Sequence, residues 1–151
     1  MNTLALMVSM CSAAVALVSI VFSIYTYRRD VAHNRKRDTL DAYNRLQNEV
    51  FDRLNTYLPS DIVEICKHPK SEEYNIIGAM VARIEHFCVG VKNDIYDKKT
   101  VYELAHGYFD ADKLRSRIGP IIDKRNSNSN EDYYSNIHWM LTWMVEENQK
   151  R

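Results

Sequence analysis

Residues 4–27 run for 24 positions without a charged side chain. A helix needs about 20 such residues to cross a bilayer, at about 1.5 Å each. The stretch is long enough to span with some tilt. Every charged residue lies at Arg28 or later, so the zero formal net charge averages two unlike parts. Residues 28–37 hold five bases (Arg28, Arg29, Arg35, Lys36, Arg37) against one acid, Asp30, a local net of +4. The remainder carries 15 bases and 19 acids.

The charge asymmetry predicts a topology. Met1-Asn2-Thr3 has no Lys or Arg, whereas the far flank is densely basic, and basic flanks stay in the cytoplasm. The expected layout is an outside N-terminus at 1–3, a transmembrane helix at 4–27, a basic juxtamembrane segment at 28–37 and a cytoplasmic helical domain at 38–151. Tyr25 and Tyr27 fit interface anchors beside Arg28, Arg29, Arg35, Lys36 and Arg37. Ala14-Val15-Ala16 offers an A-x-A cleavage pattern, but a signal peptide also needs a basic start and a shorter apolar core. The sequence favours an uncleaved anchor. Cys11, Cys66 and Cys88 are sparse and odd in number, which suits a reducing compartment and gives no disulfide framework.

The apolar stretch also carries a stripe. Ala5, Ser9, Ser12, Ala16, Ser19 and Ser23 are spaced 4, 3, 4, 3, 4, and Thr26 continues the series. Small residues on one face let helices approach closely in lipid. The alternative is that each serine bonds its own helix and faces lipid. The packing reading predicts a homo-oligomer assembled through this helix.

Beyond residue 38 the periodicity is helical throughout. Leu40, Tyr43, Leu46, Val50, Leu54, Tyr57 and Leu58 form one apolar face, with Asp41, Arg45, Glu49, Asp52 and Arg53 mainly on other sides. Pro59-Ser60 ends that helix, and Ser60 is the expected cap of a short helix over 61–66. Ser71 is the expected cap of a central helix over 72–92, with Glu72 and Glu73 in its first turn. Ile76, Ile77, Met80, Val81, Ile84, Phe87, Cys88 and Val91 surround much of that helix, so it should be enclosed by partners. Asn93-Asp94 signals a turn. Asp97 is the expected cap of a further helix, Asp110 is the expected start of a new segment reaching Lys124, and Gly119-Pro120 should kink or split that segment. Polar residues 126–130 read as a loop before a last helix over 131–148 that contains Tyr134, Ile137, His138, Leu141, Met144 and Val145, with Trp139 and Trp143 alongside. The expected fold class is all-α: one N-terminal membrane helix and a bundle of four to six helices. Ile84, Phe87 and Leu141 are its expected core markers.

The run Arg83-Ile84-Glu85-His86-Phe87-Cys88-Val89-Gly90-Val91-Lys92, then Ile95-Tyr96-Asp97, Val101-Tyr102-Glu103-Leu104 and residues 134–143, resembles a family of small bacterial proteins. It is filed as domain of unknown function 4760. The resemblance covers nearly the whole chain and implies the same architecture: a membrane helix, a basic juxtamembrane helix and a compact helical domain. It implies no activity. Family members often carry a second acid where His86 stands, so no acidic pair is carried over to that position.

Catalytic motifs are not evident. His33, His68, His86, His106 and His138 form no metal-ligand spacing, and the four glycines are scattered, without a phosphate-binding loop or a G-x-S-x-G. Glu85-His86, meeting His138 or His106 across helices, is the best metal candidate. A buried, hydrogen-bonded histidine is the expectation preferred over it. Arg83 and Glu85 are expected to make ion pairs at the core edge or to face solvent. No metal, cofactor or catalytic residue is expected, and the chain reads as a non-enzyme. The basic cluster lacks interleaved aromatics, so no nucleic-acid partner is expected. Two function classes stay open: a membrane-anchored interaction or scaffold module with a cytoplasmic protein partner, or an effector or sensor of a bacterial stress or phage-defence system that perturbs the membrane.

Overall fold

The computed structural model describes residues 3–127 and 133–150, with the backbone alone at residues 4–6 and 111. These residues are all-α, and the chain divides into two units, Met1–Arg35 and Lys36–Arg151. Helix α1 (Thr3–Leu46) contains neither Gly nor Pro, and it supplies the described part of the first unit and the start of the second. It is the one helix among the described residues long and apolar enough to cross a membrane.

In the first unit, ten large apolar side chains within residues 7–24 are each between 51% and 69% exposed. The hydroxyls donate back to their own helix: Ser12 to the Val8 carbonyl at 2.9 Å, Ser19 to Val15 at 2.9 Å, Ser23 to Ser19 at 2.8 Å and Thr26 to Phe22 at 3.0 Å. This is the self-satisfied arrangement open to Ser and Thr in helices.

The second unit begins on two polar ties. Thr39 is buried, and its Oγ1 accepts the Asp97 N–H at 2.8 Å. The Tyr43 hydroxyl donates to the Leu104 carbonyl at 3.0 Å. Burial, reinforced by Tyr108 and Asp52, pushes that phenol up to about 12, which keeps it a neutral donor.

After Leu46 the helix widens into a π segment, Gln47–Phe51, and closes with a short turn, α2 (Asp52–Leu54). The wider turn carries Phe51 inward beside Leu46, Val50 and Leu54, all buried. The apolar face expected from uniform helical spacing omits Phe51. It includes Leu40 and Leu58, which are 42% and 64% exposed.

Helix α3 (Pro59–Cys66) corrects the expected cap. Leu58 is the N-cap residue and Pro59 takes the first turn, where its missing N–H costs nothing. The Asp61 carboxylate reaches back to the Leu58 N–H at 2.9 Å, leaving Ser60 inside the helix.

Helix α4 (Glu72–Lys92) starts where Ser71 accepts the Tyr74 N–H at 3.2 Å. It packs against the π segment, α3, α6 (Ala111–Asn126) and α7 (Ser135–Gln149). Its buried residues include Ile84, Phe87 and Cys88, while Ile76 remains 40% exposed. Gly78 admits a close approach: a Cβ there would lie 1.8 Å from the Arg125 guanidinium. Arg125 in turn lies over the Tyr74 ring and donates to the Tyr134 hydroxyl at 2.7 Å.

Asp94, at φ 57°, turns the chain after α4. Asp97 caps α5 (Lys98–Ala105) and Asp110 caps α6, each accepting the N–H three residues on. Helix α6 is not split: it continues through Pro120. Burial of Ile118, Ile121 and Ile122 on both sides of the proline outweighs the one hydrogen bond it removes.

Residues 128–130 of the expected polar loop, and the expected helix start at 131, lie outside the described residues. The last described helix begins at Ser135 because Tyr134 takes a left-handed φ of 76°. Met140 joins Ile137, Leu141 and Met144 in the core, whereas His138 and Val145 are exposed. Trp139 and Trp143 stack on each other at 5.9 Å. Tyr43, Tyr74, Tyr102 and Tyr134 are buried and Tyr133 is not.

Candidate functional site

Two features, each within its own unit, carry chemistry that packing alone does not explain. The first is the exposed face of α1. Ser9, Ser12, Ala16, Ser19 and Ser23 are exposed; the Ala5 side chain of the same stripe lies outside the described residues. Tyr25 and Tyr27 are 63% and 71% exposed, and Arg28, Arg29 and Arg35 come after them on the surface. Lys36 and Arg37, at the start of the second unit, are exposed too.

The second is a cleft of about 260 Å³ in the Lys36–Arg151 unit. Ala42, Arg45, Leu46 and Glu49 stand at i, i+3, i+4 and i+7, which places them on one helix face. Arg83, His86 and Phe87 of α4 form the opposite wall, with Val50 and Tyr96 completing the lining. The polar side chains Arg45, Glu49, Arg83 and His86 are on the accessible side, whereas Leu46, Val50 and Phe87 are buried. Arg83 forms an ion pair with Glu49 across the mouth. Tyr96 stacks on Phe87 at 5.2 Å and fills the space beside Gly90, where a Cβ would sit 2.4 Å from the ring.

Glu85 does neither of the things expected of it. Its carboxylate accepts the Asn136 N–H at 3.1 Å, the Asn136 side-chain amide at 2.6 Å and the Ile137 N–H at 2.9 Å. It therefore caps α7 from another helix, where Tyr134 supplies no side-chain cap. Arg83 does make an ion pair, with Glu49 as its partner.

The histidines are also corrected. None of the five is buried. His86 lines the cleft, His106 stacks on Tyr102 at 6.1 Å, and His138 lines a different groove with Arg115, Ile118 and Asp123. Among the described residues no three His, Cys, Asp or Glu side chains are placed to hold a metal ion. Burial pushes the Cys88 thiol well above its ordinary range, with Glu85 adding to it, which is the opposite of nucleophile activation. Cys66 is shifted upward by burial as well.

Sequence reasoning singles out Arg83 and His86 but misses Ala42, Arg45, Glu49 and Tyr96 as their neighbours. The signal that could have found Ala42, Arg45 and Glu49 is their i, i+3, i+7 spacing beside Leu46, where Arg45 and Glu49 read in sequence as solvated charges; Tyr96 leaves no such local signal.

A long apolar helix and an α-helical bundle define the class of this chain. The family model described as Domain of unknown function (DUF4760) matches residues 13–143, and the chain belongs to that family. The match begins inside the apolar helix and ends in α7, so it takes in parts of both units. No curated protein and no solved structure matches the chain.

Proposed function

We propose that this protein is a membrane-anchored helical interaction module that self-associates through its apolar helix. Residues 4–27 cross the inner membrane of a bacterium once, residues 1–3 lie outside, and the helical bundle faces the cytoplasm, where it binds a protein partner. One observation carries the reading: ten large apolar side chains of α1 stand more than half exposed. Leaving that surface in water costs on the order of 10–20 kcal/mol, as much as a whole domain is stable by. Lipid removes that cost, and the basic residues from Arg28 to Arg37 fit the cytoplasmic headgroup layer.

Topology is read from cysteine accessibility. With native Cys11, Cys66 and Cys88 replaced, Lys150→Cys should react with a membrane-impermeant maleimide only after the cells are permeabilised. Labelling in intact cells would reverse the orientation.

Self-association rests on the small-residue face. Four of its hydroxyl protons are engaged by the helix itself, so association must come from close backbone packing more than from donated interhelical bonds. In the same cysteine-free background, a single Cys at position 9, 16 or 23 should crosslink in membranes, and one at 7, 17 or 21 should not. Ser12→Leu with Ser19→Leu should suppress the crosslink, while Leu17→Ala with Val18→Ala should leave it. Equal crosslinking at all six positions, or at none, would remove the interface.

A further inference from the structure

We infer that the cleft between residues 42–50 and α4 binds a small amphipathic anion: one ring-sized apolar body carrying a carboxylate or phosphate group. This does not rest on the membrane reading. The buried lining is apolar and aromatic, built by Leu46, Val50 and Phe87, with the half-buried Tyr96 stacked on Phe87. The rim is cationic beyond its internal pairing. Glu49, the acid among the lining residues, is engaged by Arg83. Arg45 and His86 make no hydrogen bond or ion pair among the described residues, although both line the opening.

A guanidinium and an imidazole beside an apolar lining meet both halves of such a ligand. At about 260 Å³ the cleft falls just below the usual range for drug-sized ligands of ~300–1,000 Å³. It therefore has room for one ring and little more. Gln47–Phe51 supplies Glu49 and Val50 to the wall, and π segments within helices recur at functional sites.

Phenyl phosphate is the probe, with phenol and inorganic phosphate as the two half-ligands. The full chain is held in dodecyl maltoside, which contains no phosphorus, so the ³¹P lines of phenyl phosphate and inorganic phosphate report their binding directly, and phenol is read by its displacement of phenyl phosphate. Phenyl phosphate should bind saturably and more tightly than either half-ligand. Arg45→Ala should weaken it about tenfold, the scale of one lost charge-assisted bond, and His86→Ala several-fold. Ala42→Leu, which fills the cleft without changing its charge, should abolish binding while tryptophan emission stays native. The inference fails if phenyl phosphate binds no more tightly than inorganic phosphate or shows no saturation up to about 10 mM. It fails equally if Arg45→Ala and Ala42→Leu leave binding unchanged.

Discussion

Phe87→Ala should destabilise the Lys36–Arg151 unit by about 3–5 kcal/mol, a large part of a typical domain stability. Phe87 is 5% exposed and meets three other rings: Tyr96 at 5.2 Å, Phe109 at 6.3 Å and Tyr43 at 6.4 Å. Alanine would leave a cavity among these rings, and their rigid planes cannot collapse into it. Phe87→Leu should cost clearly less, because it keeps most of the volume. The measurement is denaturant unfolding of the full chain in detergent, monitored by tryptophan emission. Both tryptophans, Trp139 and Trp143, sit in α7, so the signal reports on the bundle and not on the apolar helix. An unchanged midpoint for Phe87→Ala would show that α4 is not the centre of this core.

Glu85→Ala should cost about 2–3 kcal/mol. This exceeds an ordinary lost cap because one carboxylate satisfies the backbone N–H groups of Asn136 and Ile137 together with the Asn136 amide. Glu85→Gln keeps an acceptor oxygen and should lose about half as much. Amide exchange separates this role from simple packing. The Asn136 and Ile137 N–H groups should exchange faster in Glu85→Ala, while the Tyr74 N–H, capped by Ser71, stays protected. Equal protection of all three amides would mean that the α7 terminus is held by something else.

How much of the fold is legible in the sequence depends on the range of each interaction. Ser71 and Asp97 are legible as caps because the acceptor and the N–H lie three residues apart, and Asp110 is legible as the start of its helix. The start of α4 is legible for the same reason, and its end from the Asn93-Asp94 turn that follows it. Pro59 and Pro120 both look like breaks in sequence. One starts a helix and the other is carried inside one, because surrounding burial outweighs local propensity. Glu85 and Asn136 are 51 residues apart, and nothing in the neighbourhood of either marks the other. The cleft divides likewise. Arg83 and His86 stand out within a distinctive local run, but Arg45 and Glu49 look like ordinary solvated charges until α4 is packed beside them. Phe51 escapes because a uniform helical period does not hold across its segment.

That segment also fixes how the chain is wound. A π turn holds one residue more than an α turn, so Gln47–Phe51 sets the rotational phase of residues 36–46 against that of Asp52–Leu54. If the same five residues relaxed to α geometry, they would turn the chain further and swing Thr39 and Tyr43 by about 90° relative to Leu54, whereas losing one residue as well would nearly restore the phase. The swing alone would take Thr39 from the Asp97 N–H, and Tyr43 from the Leu104 carbonyl. Thr39, Tyr43 and Leu46 therefore keep their places together only while these five residues hold the wider turn. The segment behaves as a phase adjuster whose essential property is that it winds one extra residue into a single turn.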